Sequence, residues 1–141
     1  MITKRKVTLD DADMLLSWKN EEDTRKNSIV SDAKIDIVDH VHWLRKTLAN
    51  PDIEFYIILD DNKAVGDVRI NPWEGEREIS IRMDKQYRGR GLATQIIALF
   101  RGPLVAKIRA HNVASMRVFI ANGYRPEQFI DGPAPYYIFR K

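Results

Sequence analysis

Residues 86–93, Gln-Tyr-Arg-Gly-Arg-Gly-Leu-Ala, combine residue types that can hold a phosphate. Gly89 and Gly91 permit a positive φ and a close approach of backbone. A helix beginning near Leu92 would offer unpaired N–H groups and the positive end of its dipole to an anion. Arg88 and Arg90 add charge at the same place. A flexible turn with two solvated arginines is the competing reading of a lone G-x-G, so context decides. Other chemistries are poorly supplied. The chain has no cysteine, hence no thiol nucleophile, disulfide framework or zinc ribbon. No nucleophilic triad is recognisable. His40 and His42 stand two apart, the wrong spacing for a metal pair on one helical face, so no metal is expected.

A phosphate loop of this kind must lie between a strand and a helix. Arg77 to Met83 alternates Ile79, Ile81 and Met83 against Glu78, Ser80 and Arg82, as a strand with one apolar face does. After the loop, Ala93, Ile96, Ile97 and Phe100 fall at i, i+3, i+4 and i+7, an amphipathic helix closed by Gly102-Pro103. Leu104 to Ala110 alternates as a further strand, making a crossover unit with parallel flanks. Asn112 to Asn122 reads as a helix with Ser115, Met116, Phe119 and Ile120 inward, followed by strands at Tyr124–Ile130 and Tyr136–Arg140.

Upstream, Val7–Leu9 reads as a short strand ending at Asp10, the N-cap of a helix with Ala12, Leu15, Leu16 and Lys19 on one side. Asn20–Asn27 could add a second short helix. Asp36 or Asp39 caps a third, in which Val41, Leu44 and Leu48 repeat at i, i+3 and i+7 while His40, Trp43 and Thr47 fall on a neighbouring face; Asn50-Pro51 stops it. A hairpin follows, with strands at 54–59 and 64–70, Gly66 in the second strand, and a turn over Asn71–Gly75.

The length of 141 residues suits one domain spanning 1–141, and 44% hydrophobic with 30% charged residues is ordinary for a globular chain. A net charge of +3 without a basic stripe argues against a nucleic-acid partner. No apolar stretch approaches a membrane span and the amino terminus has no apolar h-region, so a cytoplasmic protein without a membrane partner is expected. A homo-oligomer is left open.

The order strand, two helices, three-stranded meander, glycine loop, helix, strand, helix, two strands resembles the GNAT superfamily of acetyl-CoA-dependent N-acetyltransferases across essentially the whole chain. Gln86-x-x-Gly89-x-Gly91 matches that superfamily's Q/R-x-x-G-x-G/A pyrophosphate loop. Asn112-x-x-Ser115 with Gly123-Tyr124 matches its N-x-x-S/A…G-F/Y segment, and the 21 residues from Gly91 to Asn112 accommodate one helix and one strand. Leu15–Asn20, Arg25, Ser28 and His42-Trp43-Leu44 are similar to the branch containing ribosomal-protein N-terminal and aminosugar N-acetyltransferases. The resemblance implies an α/β (α+β) fold: a mixed sheet of about seven strands, splayed between the fourth and fifth, with about four helices.

It implies, further, acetyl-CoA as co-substrate, its pyrophosphate on the backbone of Arg88, Gly89, Arg90, Gly91, Leu92 and Ala93 with Gln86 alongside, and its pantetheine arm on the strand edge at Ile81 and Met83, with Asn112 and Ser115 nearby. Asn112 reads equally as a helix cap. Transfer to an amine needs a base for the amine proton and an acid or donors for the thiolate, with no covalent enzyme intermediate. Many relatives carry a tyrosine seven residues after the asparagine and some a glutamate five before it; here those positions are Phe119 and Lys107. Tyr124 and Tyr136 remain as acids, and Asp67, Glu78, His111 and His42 as bases. Trp18, Asn20, Arg25, Ser28 and Trp43 are the acceptor-side candidates, where arginine can clamp a phosphate and tryptophan can stack a ring. The acceptor implied is a small or nucleotide-linked amino sugar. A protein amino terminus is the alternative, and a non-catalytic acyl-CoA-binding regulatory module is a third reading.

Overall fold

A computed structural model describes all residues 1–141. Seven strands, β1 (Ile2–Lys6), β2 (Glu54–Asp60), β3 (Lys63–Trp73), β4 (Glu76–Met83), β5 (Val105–Arg109), β6 (Arg125–Ile130) and β7 (Tyr136–Arg140), form one mixed sheet in the order β1-β2-β3-β4-β5-β7-β6. Five helices accompany it: α1 (Ala12–Asn20), α2 (Glu22–Lys26), α3 (Ile37–Ala49), α4 (Leu92–Ile97) and α5 (Val113–Ala121).

The meander β2–β3–β4 is built on two-residue turns. Asp61 and Asn62 (φ 49° and 68°) join β2 to β3, and Glu74 and Gly75 (φ 47° and 78°) join β3 to β4; positive φ at both central positions gives the twist hairpin strands require. β3 therefore runs through Asn71-Pro72 to Trp73, longer than its turn residues suggest. Gly66 is forced by close packing, since a Cβ there would stand 2.2 Å from the backbone oxygen of Arg82 on β4. The close approach that requires this glycine is that of the neighbouring strand β4.

β4 and β5 are the only parallel neighbours, and they register at a single pair, Glu78 with Val105. Beyond it they diverge, leaving the β5-facing edge of β4 from Ser80 to Met83 without a ladder partner.

One face of the sheet carries the main core, in which Ile79 of β4 and Ala106 and Ile108 of β5 pack with Ile96, Ile97 and Phe100 around α4 and with Phe119 of α5. The other face is covered over β2 and β3 by α1 and α3, through Leu15, Trp18, Leu44, Phe55 and Ile57. Alternation places Asp67 and Arg69 of β3, Glu78, Ser80 and Arg82 of β4, and Lys107 of β5 on this second face.

Several boundaries differ from those read in the sequence. The first strand is the polar Ile2–Lys6 rather than Val7–Leu9: an edge strand with one partner tolerates lysines and arginine, which also discourage edge-to-edge pairing. Asp11, not Asp10, precedes α1; its carboxylate accepts the Thr8 N–H and a bidentate pair from Arg5, whose guanidinium holds it below the usual carboxylate range. α3 turns His40, Leu44 and Thr47 inward and exposes Leu48, because its covering sheet face contains the polar residues of β3 and β4. Ile120 of α5 is exposed rather than inward, and α4 ends at Ile97, although Phe100 is still buried.

Candidate active site

The glycine loop is fastened at its base. Asp84, just past β4, accepts the Trp18 indole N–H (2.9 Å) and the Gln86 backbone N–H (2.9 Å), tying the strand end to α1. The Arg88 guanidinium donates to the Met83 carbonyl (3.0 and 3.2 Å), the Glu21 carboxylate (2.8 Å) and the Thr24 hydroxyl (3.2 Å). Burial opposes ionisation of Glu21, but Arg88 and the backbone N–H groups of Asp23 and Thr24 together hold its carboxyl down at about 2. Arg88 is thus a strut between the loop and α2. Of the two loop arginines, Arg90 is the exposed one, resting on the Tyr87 ring at 5.5 Å.

Above this base the backbone has the form an anion needs. Gly89 and Gly91 both adopt φ +75°, and Cβ atoms added to them would meet nothing within 4 Å. The N–H groups of Gly89, Arg90 and Gly91 have no acceptor in the protein, and those opening α4 at Leu92 and Ala93 lie in the helix's unpaired first turn. Positive φ and open space in front of a row of free donors fit a pyrophosphate, and the unpaired edge at Ile81 and Met83 fits an extended amide chain. Asn112 caps α5, its side-chain oxygen accepting the Ser115 N–H at 3.3 Å, so its cap role is realised and its amide nitrogen is uncommitted.

The proton-transfer candidates separate. Asp67 is buried and held bidentately by Arg82 (3.1 and 3.2 Å). Glu78 is not solvated; it pairs with Lys107 at 3.3 Å, both side chains being largely covered. His111 is exposed, with Nε2 2.8 Å from the Asn27 side-chain oxygen, and His42 is exposed on α3. Tyr136 is half-buried on β7. Tyr124 is fully buried edge-on to Phe119 (5.0 Å), its hydroxyl has no partner, and burial pushes it up to about 12.

The acceptor-side candidates turn out to be mostly scaffolding for the segment between α2 and α3. Asn20 exchanges two hydrogen bonds with the Ile35 backbone (2.7 and 2.8 Å). Arg25 donates to the Asn20 and Asp32 carbonyls, and the Ser28 hydroxyl accepts the Ser31 N–H. The Ser28 carbonyl accepts from Arg109 at the end of β5, which also reaches the Ala134 carbonyl and so pins two loops together. Trp18 is buried and engaged with Asp84. Trp43 differs: Lys19 Nζ lies 3.0 Å from its ring centroid and the Arg69 guanidinium 5.1 Å away.

Lys19, Arg69 and Arg82 were not among the site candidates read from the sequence, and Lys107 was noted only as a departure from the family pattern, yet the four dominate the second face beside the β4–β5 splay. Burial, with Arg82 and Arg69 nearby and only Asp67 opposing, pushes the Lys19 ammonium down to about 6. Burial and Arg82 likewise lower Arg69. His40 beneath them is lowered too, by burial and by Lys19; it stays neutral and donates Nε2–H to the Ala12 carbonyl at 3.0 Å. The available signal was two arginines and an aspartate in the polar register of two central strands, where charge is seldom placed without a task.

A hollow of about 180 Å³, lined by Lys4, Tyr56, Arg77 and Phe100 among others, lies at the opposite end of the sheet from the glycine loop.

A family model described as an acetyltransferase (GNAT) domain matches residues 2–125. No curated protein matches the chain significantly. Among solved structures, an aminoglycoside acetyltransferase in complex with coenzyme A superposes with a TM-score of 0.83 at 18% identity, covering 100% of this chain and 94% of that one. A ribosomal-protein-alanine N-acetyltransferase from Brucella melitensis superposes with a TM-score of 0.79 at 19% identity, covering 99% and 98%. At such identities the likeness establishes the fold.

Proposed function

The chain belongs to the GNAT acetyltransferase family and is an acetyl-CoA-dependent N-acetyltransferase; from that premise we propose that residues 1–141 act as one domain transferring acetyl directly to a primary amine of a small or nucleotide-linked amino sugar. The observation that carries this reading is the conjunction of the open β4 edge with the donor row from Gly89 to Ala93. Pyrophosphate on those donors and pantetheine along Ile81 and Met83 direct the thioester toward the splay. The second sheet face then receives the amine.

The neutral acceptor nitrogen attacks the thioester carbonyl, the C–N bond forms, the C–S bond breaks, and the excess amine proton leaves to water or a base. Asp67 and Glu78 are committed to Arg82 and Lys107 and poorly suited to take it. His111, exposed just past the end of β5 and without a charged partner, is the base in this reading, directly or through water. Among the acid candidates Tyr124 is fully buried with its proton held and unclaimed, next to Phe119 where many relatives place their tyrosine; it serves as the thiolate's acid. The Arg88 strut keeps the loop at a fixed distance from β4 during turnover.

Free thiol released from acetyl-CoA is the measurement, on a panel of nucleotide-linked amino sugars, aminoglycosides, polyamines and amino-terminal peptides. Turnover on the amino sugars supports the reading. Turnover on peptides alone transfers the assignment to a protein amino terminus, as the Brucella neighbour's name would suggest. Coenzyme binding with no turnover would leave the regulatory module.

A further inference from the structure

On the second face of the sheet, three cations from three elements converge around a single carboxylate. Lys19 comes from α1, Arg69 from β3 and Arg82 from β4; Asp67 is paired with Arg82. Neither Lys19 nor Arg69 makes an ion pair, and the only hydrogen bond from the Arg69 guanidinium goes to the neutral Asn71 side chain at 3.3 Å. All three are half-buried, so their positive charge is costly yet still reachable from solvent. Lys107 and Glu78, next along the face, neutralise each other.

We infer that Lys19, Arg69 and Arg82 form a receptor for a diphosphate on the amine acceptor, beside the splayed edge of β4. The inference rests on the acceptor approaching this face, as the proposed function has it. Charge selects the ligand: Arg69 and Arg82 exceed Asp67 by one positive charge, and an anion that draws a proton onto Lys19 as it binds meets an excess of two. A diphosphate bridging two groups brings two negative charges and many acceptor oxygens, whereas a carboxylate would leave one cation uncompensated. The depressed titration of Lys19 is the mark of a cation with no counter-charge of its own. Packing alone does not account for the arrangement, because a methionine or leucine at position 19 would cover the Trp43 ring without desolvating an ammonium.

The test uses the full chain saturated with coenzyme A, so that the glycine loop is filled, and titrates it with uridine diphosphate, inorganic pyrophosphate, inorganic phosphate and uridine by calorimetry. Uridine diphosphate and pyrophosphate are expected to bind and uridine not to. Uridine diphosphate tighter than pyrophosphate identifies a nucleotide-linked acceptor; equal affinities identify another phosphorylated amine. Lys19→Met and Arg69→Gln should each weaken uridine diphosphate about tenfold, the worth of one charge-assisted hydrogen bond, with affinity for coenzyme A unchanged. Lys19→Arg should retain binding, and Lys19→Met should not lower the melting temperature. A coenzyme-loaded protein that ignores both diphosphates, or binds them equally well in the two variants, overturns the receptor while leaving the transferase intact. Failure to bind coenzyme A at all overturns the reading beneath it.

Discussion

The two sides of the β4–β5 splay are built in contrasting ways. On the proposed coenzyme side, the loop, α4, β5 and Asn112 follow one another within about thirty residues, and the groups offered to the ligand are backbone N–H donors set by two glycines. On the proposed acceptor side, Lys19, Trp43, Arg69 and Arg82 come from four separate elements, and side chains are the groups offered for recognition. Backbone donors suit a constant ligand, since any sequence with the right turn supplies them. A variable acceptor calls for side chains, which can change without disturbing the fold.

The sharpest way to break this contrast is Gly89→Asp. A carboxylate facing the pyrophosphate should weaken acetyl-CoA by about a hundredfold or more through like-charge repulsion, while stability falls by only about 1 kcal/mol, the cost of the left-handed φ of +75° for an L residue, since the new side chain meets nothing within 4 Å. Unchanged affinity in a calorimetric titration would show that the cradle is misassigned.

Gly66→Ala should do the reverse. Its methyl would collide with the Arg82 carbonyl at 2.2 Å, costing about 3 kcal/mol in urea unfolding by overpacking, and dislodging Arg82 should harm acceptor binding more than coenzyme binding. Tyr124→Phe removes an unclaimed proton without emptying the core, so kcat should fall about a hundredfold with acetyl-CoA affinity and stability preserved. Wild-type kcat would strip Tyr124 of its role.

The smallest effect concerns the strut joining the two sides. Glu21→Gln should cost about 1 kcal/mol at pH 7, as expected for a partly exposed pair. Because the Glu21 carboxyl is lowered in the folded protein, its contribution is full above its ordinary value of 4.5 and lost as pH falls toward about 2. The difference between wild type and variant should therefore be full at pH 7 and shrink progressively as pH falls from 4.5 through about 2.

The loop–helix–strand unit was legible in the sequence because its signals are local: alternation in β4, two glycines, a helical repeat and Asn112 within one crossover. Phe119 and Lys107 likewise showed at once that the usual acid and glutamate are absent. The strand at Ile2–Lys6 was hidden, since an edge strand's polar residues carry no apolar alternation. The inward face of α3 was misjudged because His40 and Thr47 are polar and Leu48 is not, and the polar register of β3 and β4 beneath the helix decides which of them is buried.

Residue type could nominate Asn20, Arg25 and Ser28 but could not say what they touch; in three dimensions they brace the α2–α3 segment. The charge on Lys19 shows the same division. Its burial and its cationic neighbours come from strands some fifty to sixty residues away in the chain, brought together only when the sheet forms. By itself the sequence determined the form of the phosphate loop, because backbone geometry at two glycines is a short-range property, and the resemblance of the surrounding motifs supplied the donor. Only the tertiary structure brought together the cations of the proposed acceptor face, because an uncompensated charge is a property of everything around it.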